Sequence, residues 1–353
     1  MSSAQIDLLS FLKSHSGSEQ QSALPGPRLR SFGEPAKEWE AVGEGSVLFD
    51  LQQSFCWRIT GKDRIRFLNN FTTNNISLLQ PGQGCEAFAT SVKGRVLGHF
   101  FLVCEDDSIL LFSVSGNAED LLTHFRKYVL LDDVQFQELK DEYALFYLTG
   151  NKAQQQYEEL SGTTLNRWQT TEVTRFDTPF VSVRIDLFDM PGYLLLIPQN
   201  DVAIHWKNLT DNGILAAGAD CFHALRIESG LPLIGIDITD QNLAHEAART
   251  SSAISFKKGC YLGQEPIARL ETLGHTNQEI RSLSWDGAHT FSPGAAIFPT
   301  AGEKQIGRLT STCLHPDGQS GLALAILRRE YLDPSTALLL DSESGEKQLA
   351  VVR

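Results

Sequence analysis

One order of elements is read twice along this chain: strand, helix, strand, strand, helix. The first copy runs from a strand at Phe55–Thr60 to a helix whose Asn117 is placed to cap Leu121, Leu122, Phe125 and Val129. Between them lie a helix carrying Ile65, Phe67, Leu68 and Phe71 and strands at Cys85–Ser91, Val96–Cys104 and Ser108–Ser115. The second copy begins with a strand at Tyr143–Thr149 and a helix at 151–160. It continues with strands near Val173, at Phe180–Ile185 and at Tyr193–Ile197, and a helix at 201–212. Such a repeat of order without a repeat of letters predicts two similar α/β modules, each most of a ferredoxin-like unit. An amphipathic helix at 220–230 stops at Gly230 with Pro232 beyond. From Ile267 onward the pattern reads as short strands separated by Pro293-Gly294, Gly307 and Pro316-Asp317-Gly318, which predicts a small all-β barrel. A helix over 5–14, built on Ile6, Leu9 and Leu12, precedes all of this on a Ser-, Gly- and Pro-broken connection.

The expected organisation is a helix and connection over 1–35, a discontinuous first domain over 36–140 and 214–265, a second over 141–213 and a β-barrel over 266–353. The class is α+β. A net charge of −13 opposes a phosphate backbone and gives nonspecific nucleic-acid binding no support. No apolar run reaches the roughly 18–20 residues that span a bilayer, and no basic segment with an apolar core opens the chain. Six scattered cysteines without a C-x-x-C pair disfavour a zinc ribbon and fit reduced thiols in a cytoplasm. His99, His245 and His275 lack metal-ligand spacing, so no metal site is expected.

The densest chemistry lies at Lys258-Gly259-Cys260-Tyr261-Leu262-Gly263-Gln264-Glu265. Glycines flank the thiol, and Lys257 and Lys258 stand where they could stabilise a thiolate. The bland alternative is a buried cysteine acting as a small hydrophobe. This stretch resembles the K-G-C-Y-x-G-Q-E signature of the YgfZ family, folate-binding proteins implicated in maturation of iron–sulfur enzymes. The remainder resembles the wider superfamily of the glycine-cleavage aminomethyltransferase, or T-protein. Its landmarks here include Leu48-Phe49-Asp50-Leu51, Thr60-Gly61-Lys62-Asp63, Lys93-Gly94-Arg95-Val96-Leu97, Leu225-Arg226-Ile227-Glu228-Ser229-Gly230 and Ile306-Gly307-Arg308-Leu309-Thr310-Ser311.

That resemblance implies a three-domain ring around a tetrahydrofolate cavity, with Cys260 as the essential thiol. It implies iron–sulfur client or assembly proteins as partners, since one cysteine cannot hold a cluster alone. It also implies Glu228 as the carboxylate that binds the pterin, the alternative being a surface glutamate paired with Arg226. Lys258, Tyr261, Gln264, Glu265, Asn74 and His99 complete the candidate cofactor-binding set. Lys258 and Arg269 are placed to meet the folate tail. Gln264 reads more readily as a loop support, and Asn74 as a helix cap or left-handed residue. One departure separates this chain from the transferases: where they carry paired acids, it has Gly98-His99. A maturation factor is therefore the first expectation. A folate-dependent aminomethyltransferase or demethylase, with His99 as the substitute base, is the alternative.

Overall fold

The computed structural model describes residues 10–13, 21–22, 24–51, 53–176, 178–274, 276–341 and 347–353. Residues 10–13 are helical, and the rest of the helix expected over 5–14 lies outside the described residues, as does His275.

The elements begin with α1 (Pro35–Glu44), β1 (Val47–Asp50), β2 (Phe55–Thr60), α2 (Arg64–Phe71), β3 (Gly84–Thr90), β4 (Val96–Cys104) and β5 (Ile109–Ser113). Next come α3 (Ala118–Arg126), β6 (Gln135–Glu138), β7 (Tyr143–Thr149), α4 (Ala153–Ser161), β8 (Thr170–Val173), β9 (Phe180–Arg184) and β10 (Gly192–Pro198). Then follow α5 (Val202–Asp211), β11 (Leu215–Ala216), α6 (Ala219–Glu228), α7 (Thr250–Ala253) and α8 (Gln264–Leu273). The chain ends with β12 (Gln278–Asp286), β13 (Ala296–Pro299), β14 (Gly307–Leu314), β15 (Ser320–Arg328), β16 (Ala337–Asp341) and β17 (Lys347–Val352).

These strands form a five-stranded sheet in the order β3-β4-β5-β2-β6, a six-stranded sheet in the order β11-β1-β7-β10-β9-β8, and a closed six-stranded barrel. The α+β class with two α/β modules and a C-terminal barrel is the one observed. Strand β1, which precedes the first module in sequence, is hydrogen-bonded into the second sheet, antiparallel to β7 and parallel to β11.

Each sheet is covered on both faces, which is why its strands read as nearly continuous apolar runs. Helices α2 and α3 bury Phe67, Leu68, Leu121 and Phe125 against one face of the five-stranded sheet. Helices α4 and α5 bury Tyr157, Trp206 and Leu209 against the outer face of the six-stranded sheet. The inner faces meet each other: Phe101, Val103 and Phe112 from one sheet pack with Phe49, Tyr147, Val183 and Leu194 from the other. Asn117 caps α3 as expected, its Oδ1 accepting from the N–H groups of Glu119 and Asp120.

The stretch from Ile267 differs from expectation. It is not a strand but the body of α8, closed at both ends by glycines with positive φ, Gly263 at 84° and Gly274 at 90°. Pro266 falls in the first turn, where no intrahelical N–H bond is lost.

Helix α6 joins the units. Its Cys221, Phe222 and Leu225 enter the inter-sheet core, while Ala224 and Ile227 face Leu322 and Leu324 of the barrel. Arg226 is fully buried and pairs with Asp237 at 2.9 Å. Its remaining donors reach Ser311 Oγ and His223 Nδ1, and Asp237 accepts from the Thr310 and Ser311 hydroxyls at 2.6 Å each. Every charge in this network is answered, so a costly burial becomes a specific clamp between helix and barrel. Two of the sequence landmarks, at 225–230 and 306–311, meet in this clamp.

Candidate functional site

A lone acid in an apolar strand marks the centre. Glu86 lies within Cys85–Ala89, and its carboxylate is 1% exposed. Arg249 grips both oxygens, Nε to Oε1 at 2.7 Å and Nη2 to Oε2 at 2.6 Å, and His99 Nε2 meets Oε1 at 2.6 Å. Burial alone would raise this carboxyl, but the bonds from Arg249 and His99 hold it well below the usual carboxylate range.

In front of this network opens a mainly polar cavity of about 500 Å³. Its wall is the β9–β10 connection, with Arg184, Asp186, Phe188, Asp189 and Met190, joined by Arg167 and by Arg249, Ser251 and Ser252. Asp186 is engaged by Arg184 at 3.3 Å and by the Gly192 N–H at 3.1 Å. Asp189 is exposed; burial lowers the Arg249 basicity, but the bonds and charge of Glu86, with a smaller contribution from Asp189, raise it overall. Two of the non-glycine residues with left-handed backbone flank the cavity, Trp168 at φ 72° and Ala248 at φ 56°. Such strain persists only where surrounding contacts enforce it, and it concentrates at functional sites. Arg167 lies 4.7 Å from the Trp168 ring, giving the rim a cationic and aromatic edge.

The predicted residues distribute unevenly around this site. His99 belongs to it, but as a support: it is buried, stacked 4.9 Å from Phe88, and its Nε2 is occupied by Glu86. In this geometry His99 supports Glu86 through Nε2, and the expectation of a substitute base has no further observation behind it. Asn74 is neither cap nor left-handed. Its amide donates to Glu86 O and Ser252 O at 2.8 Å each, clasping β3 to the cavity wall. Gly98 faces the other way, and a Cβ there would meet Leu121 at 3.1 Å.

Lys258 departs furthest from expectation. Instead of facing the thiol or a folate tail, its ammonium is buried and donates to the carbonyls of Asn69, Thr72 and Asn74 at 2.6–2.7 Å. Burial pushes it down to about 7, while the three carbonyls call for the three N–H donors that only the protonated form has. Tyr261 packs beneath it, 4.7 Å from Nζ to the ring centroid, and burial pushes its phenol up to about 12. Gln264 serves the loop, its Oε1 accepting from Tyr261 N at 3.3 Å. Glu265 and Arg269 are exposed on α8. Cys260 stands at the surface of the loop so braced.

Glu228 does not line the cavity. Its carboxylate, about one-third exposed, is bonded to Arg353 Nη2 at 2.5 Å, at the seam of α6 and the barrel. Arg226, the alternative partner, is taken by Asp237. Glu86, Trp168, Arg184, Asp189 and Arg249 were not singled out from sequence. The signal for Glu86 was a charge amid buried strand residues, whereas the arginines carry no local pattern.

Among the described residues no three His, Cys, Asp or Glu side chains converge to hold a metal, and no helix is long and apolar enough to cross a membrane.

Comparison with known proteins gives a consistent result. A chloroplastic protein of Arabidopsis thaliana, named provisionally as a transferase, is 28% identical over 86% of this chain and 70% of its own length. An aminomethyltransferase of Chlorobium phaeovibrioides is 24% identical over 86% of this chain and 85% of its own. The crystal structure of the glycine-cleavage aminomethyltransferase T of Bartonella henselae superposes with a TM-score of 0.83 at 21% identity, covering 98% of this chain and 95% of that one. Residues 22–258, carrying both sheets, the cavity and the start of the Cys260 loop, match the GCVT N-terminal domain family, and the chain belongs to that family.

Proposed function

We propose that this protein binds tetrahydrofolate in the cavity before Arg249 and uses the Cys260 thiol in the assembly or repair of iron–sulfur clusters of client enzymes, as the resemblance to the YgfZ signature implies. The observation that carries the thiol role is the sorting of the six cysteines. Cys260 is exposed, whereas burial raises Cys56, Cys104 and Cys221 and pushes Cys85 and Cys313 up to about 12. A reactive thiol must reach its partner, and of the six Cys260 is the one exposed. One thiol holds a cluster only in transit, so a client or assembly protein supplies the other ligands. Six unpaired thiols suit a reducing compartment, and we assign the protein to the cytoplasm.

The cavity fits a folate by its donor set. Asp189 offers two carboxylate oxygens to the paired N–H groups of an amidine edge, and the Arg167 guanidinium at the rim suits a carboxylate tail. Bound there, tetrahydrofolate supplies a nitrogen that carries one-carbon groups. Arg249 is fixed by Glu86, which His99 orients in turn, so the wall facing the ligand is rigid and charge-balanced.

Aminomethyl transfer or demethylation is the second reading, favoured by the names of the relatives. Against it stands Gly98, which brings no carboxylate where the transferases carry paired acids.

Calorimetric titration with tetrahydrofolate tests the first reading. Wild type and Cys260→Ser bind alike, Glu228→Gln binds nearly as well, and Asp189→Asn loses about tenfold, the loss of one charge-assisted pair. Absence of binding by wild type would sink the folate assignment. In cells lacking the protein, failure of Cys260→Ser to restore cluster-enzyme activity is the expected result, and full restoration would sink the thiol role.

A further inference from the structure

On the barrel, away from the cavity, Lys304, Arg308 and Arg328 converge on a groove of about 400 Å³ that no carboxylate lines. The register explains the convergence. Arg308 pairs with Ile326 across β14 and β15, and Arg328 stands two residues further on the same outward face, donating its backbone N–H to Ile306 O at 2.9 Å. The two guanidinium groups are thus diagonal neighbours, an arrangement that costs stability unless something answers it. Gly307 between them turns to the inner face, where a Cβ would meet Ile326 O at 2.5 Å and the Leu327 side chain at 2.7 Å.

The chain has 43 acids against 30 basic residues, yet these three cations, gathered on one groove, form no ion pair among the described residues. Two acids on the neighbouring elements are already engaged: Glu246 accepts from Asn242 and Gln278, and Glu279 is held by Arg281. Glu303, though next to Lys304 in sequence, does not line the groove.

We propose that this groove docks an acidic segment of a partner protein. Its place in the molecule gives the docking a purpose, which rests on the function proposed above. Gln278 at the groove's edge donates to Glu246 at 3.2 Å, and the neighbouring His245 ring lies 6.0 Å from that of Phe256, an exposed aromatic four residues before Cys260. A partner seated by its acidic residues therefore reaches towards the Cys260 loop. The overall charge of −13 weighs against a nucleic acid at the same place, because a long polyanion would meet repulsion on either side of so small a groove.

The test is fluorescence anisotropy with a fluorescein-labelled hexaglutamate peptide and the full-length protein. Arg308→Gln/Arg328→Gln weakens binding about tenfold, and raising salt from about 50 to about 300 mM weakens the wild type at least fivefold, as expected for charge pairing at an exposed site. Lys152→Glu, on another face, changes affinity less than about twofold. Cys260→Ser leaves it unchanged, so that loss of the thiol role and loss of the docking role register separately. Melting curves confirm that the Gln variant is folded. Equal binding by wild type and the Gln variant would overturn the proposal. So would binding of inorganic phosphate without the peptide, or tighter binding of a single-stranded oligonucleotide.

Discussion

Arg249→Met removes two of the three side-chain props of a buried carboxylate. In the wild type Glu86 receives three side-chain bonds, two from Arg249 and one from His99. After the substitution Oε2 has no donor and the charge keeps a single partner. Stripping one member from a buried pair costs about 3–5 kcal/mol, and the 20% exposure of the Arg249 side chain admits some water and favours the lower end, about 3 kcal/mol. With an unfolding entropy of about 2.1 cal/mol/K per residue, a chain of this length loses about 4 °C in Tm for that change. Glu86→Gln/Arg249→Met removes both charges together and recovers part of the loss, giving a coupling of about 2 kcal/mol in a double-mutant cycle. The pH dependence carries its own sign. The Glu86 carboxyl is depressed in the folded state, so its contribution is fully present above the unfolded value of about 4.5 and fades as pH falls below it. Scanning calorimetry between pH 3.5 and 7 checks both effects at about half-unit steps. Wild type loses Tm below about pH 4.5 more steeply than Glu86→Gln. A shift of under 1 °C for Arg249→Met, or additive losses in the double variant, would refute the argument that the wall is held by this ion pair.

The other expectations are smaller in scope. Lys258→Met leaves three carbonyls without a cation and lowers stability by about 2–4 kcal/mol; hydrogen exchange then quickens over 69–75, and unchanged protection there would contradict the brace. Iodoacetamide labels Cys260 first in the native protein, with Cys56 and Cys221 reacting only on denaturation, as peptide mass spectrometry would show. Gly98→Asp, which restores an acid at the transferase position, drives its Cβ against Leu121 and lowers Tm without creating aminomethyl transfer; gain of activity would show that the missing carboxylate alone separates the two functions.

Element order was legible because period-two and period-3.6 patterns are local properties. Strand β4 was read at its observed bounds, and Asn117 as the cap it is. Pairing was less legible, since β1 carries nothing in Val47–Asp50 that names β7 as its neighbour. The stretch after Gly263 misled because Pro266 and the glycines read as breakers, although they are the two ends and first turn of α8. At the site, a motif marked the loop but not the task of each member. Lys258 sits two residues from the thiol in sequence, yet its side chain runs inward to carbonyls nearly two hundred residues earlier. Arg249 and Glu86 are 163 positions apart, and no spacing rule joins them.

The clamp of Arg226 and Asp237 has a consequence for how the protein can be divided. Its two charges lie before the barrel in sequence, while the hydroxyls that complete it, Thr310 and Ser311, lie inside the barrel. A fragment ending after α8 would leave a buried guanidinium and carboxylate beside bare apolar surface at Ala224 and Ile227, and an isolated barrel would expose Leu322 and Leu324. Neither half is a self-sufficient product of proteolysis or gene fission. Nascent chains are therefore expected to remain exposed to chaperones and proteases until β14 and β15 have left the ribosome, and stop codons before them to yield degraded protein rather than a shortened, ligand-binding one.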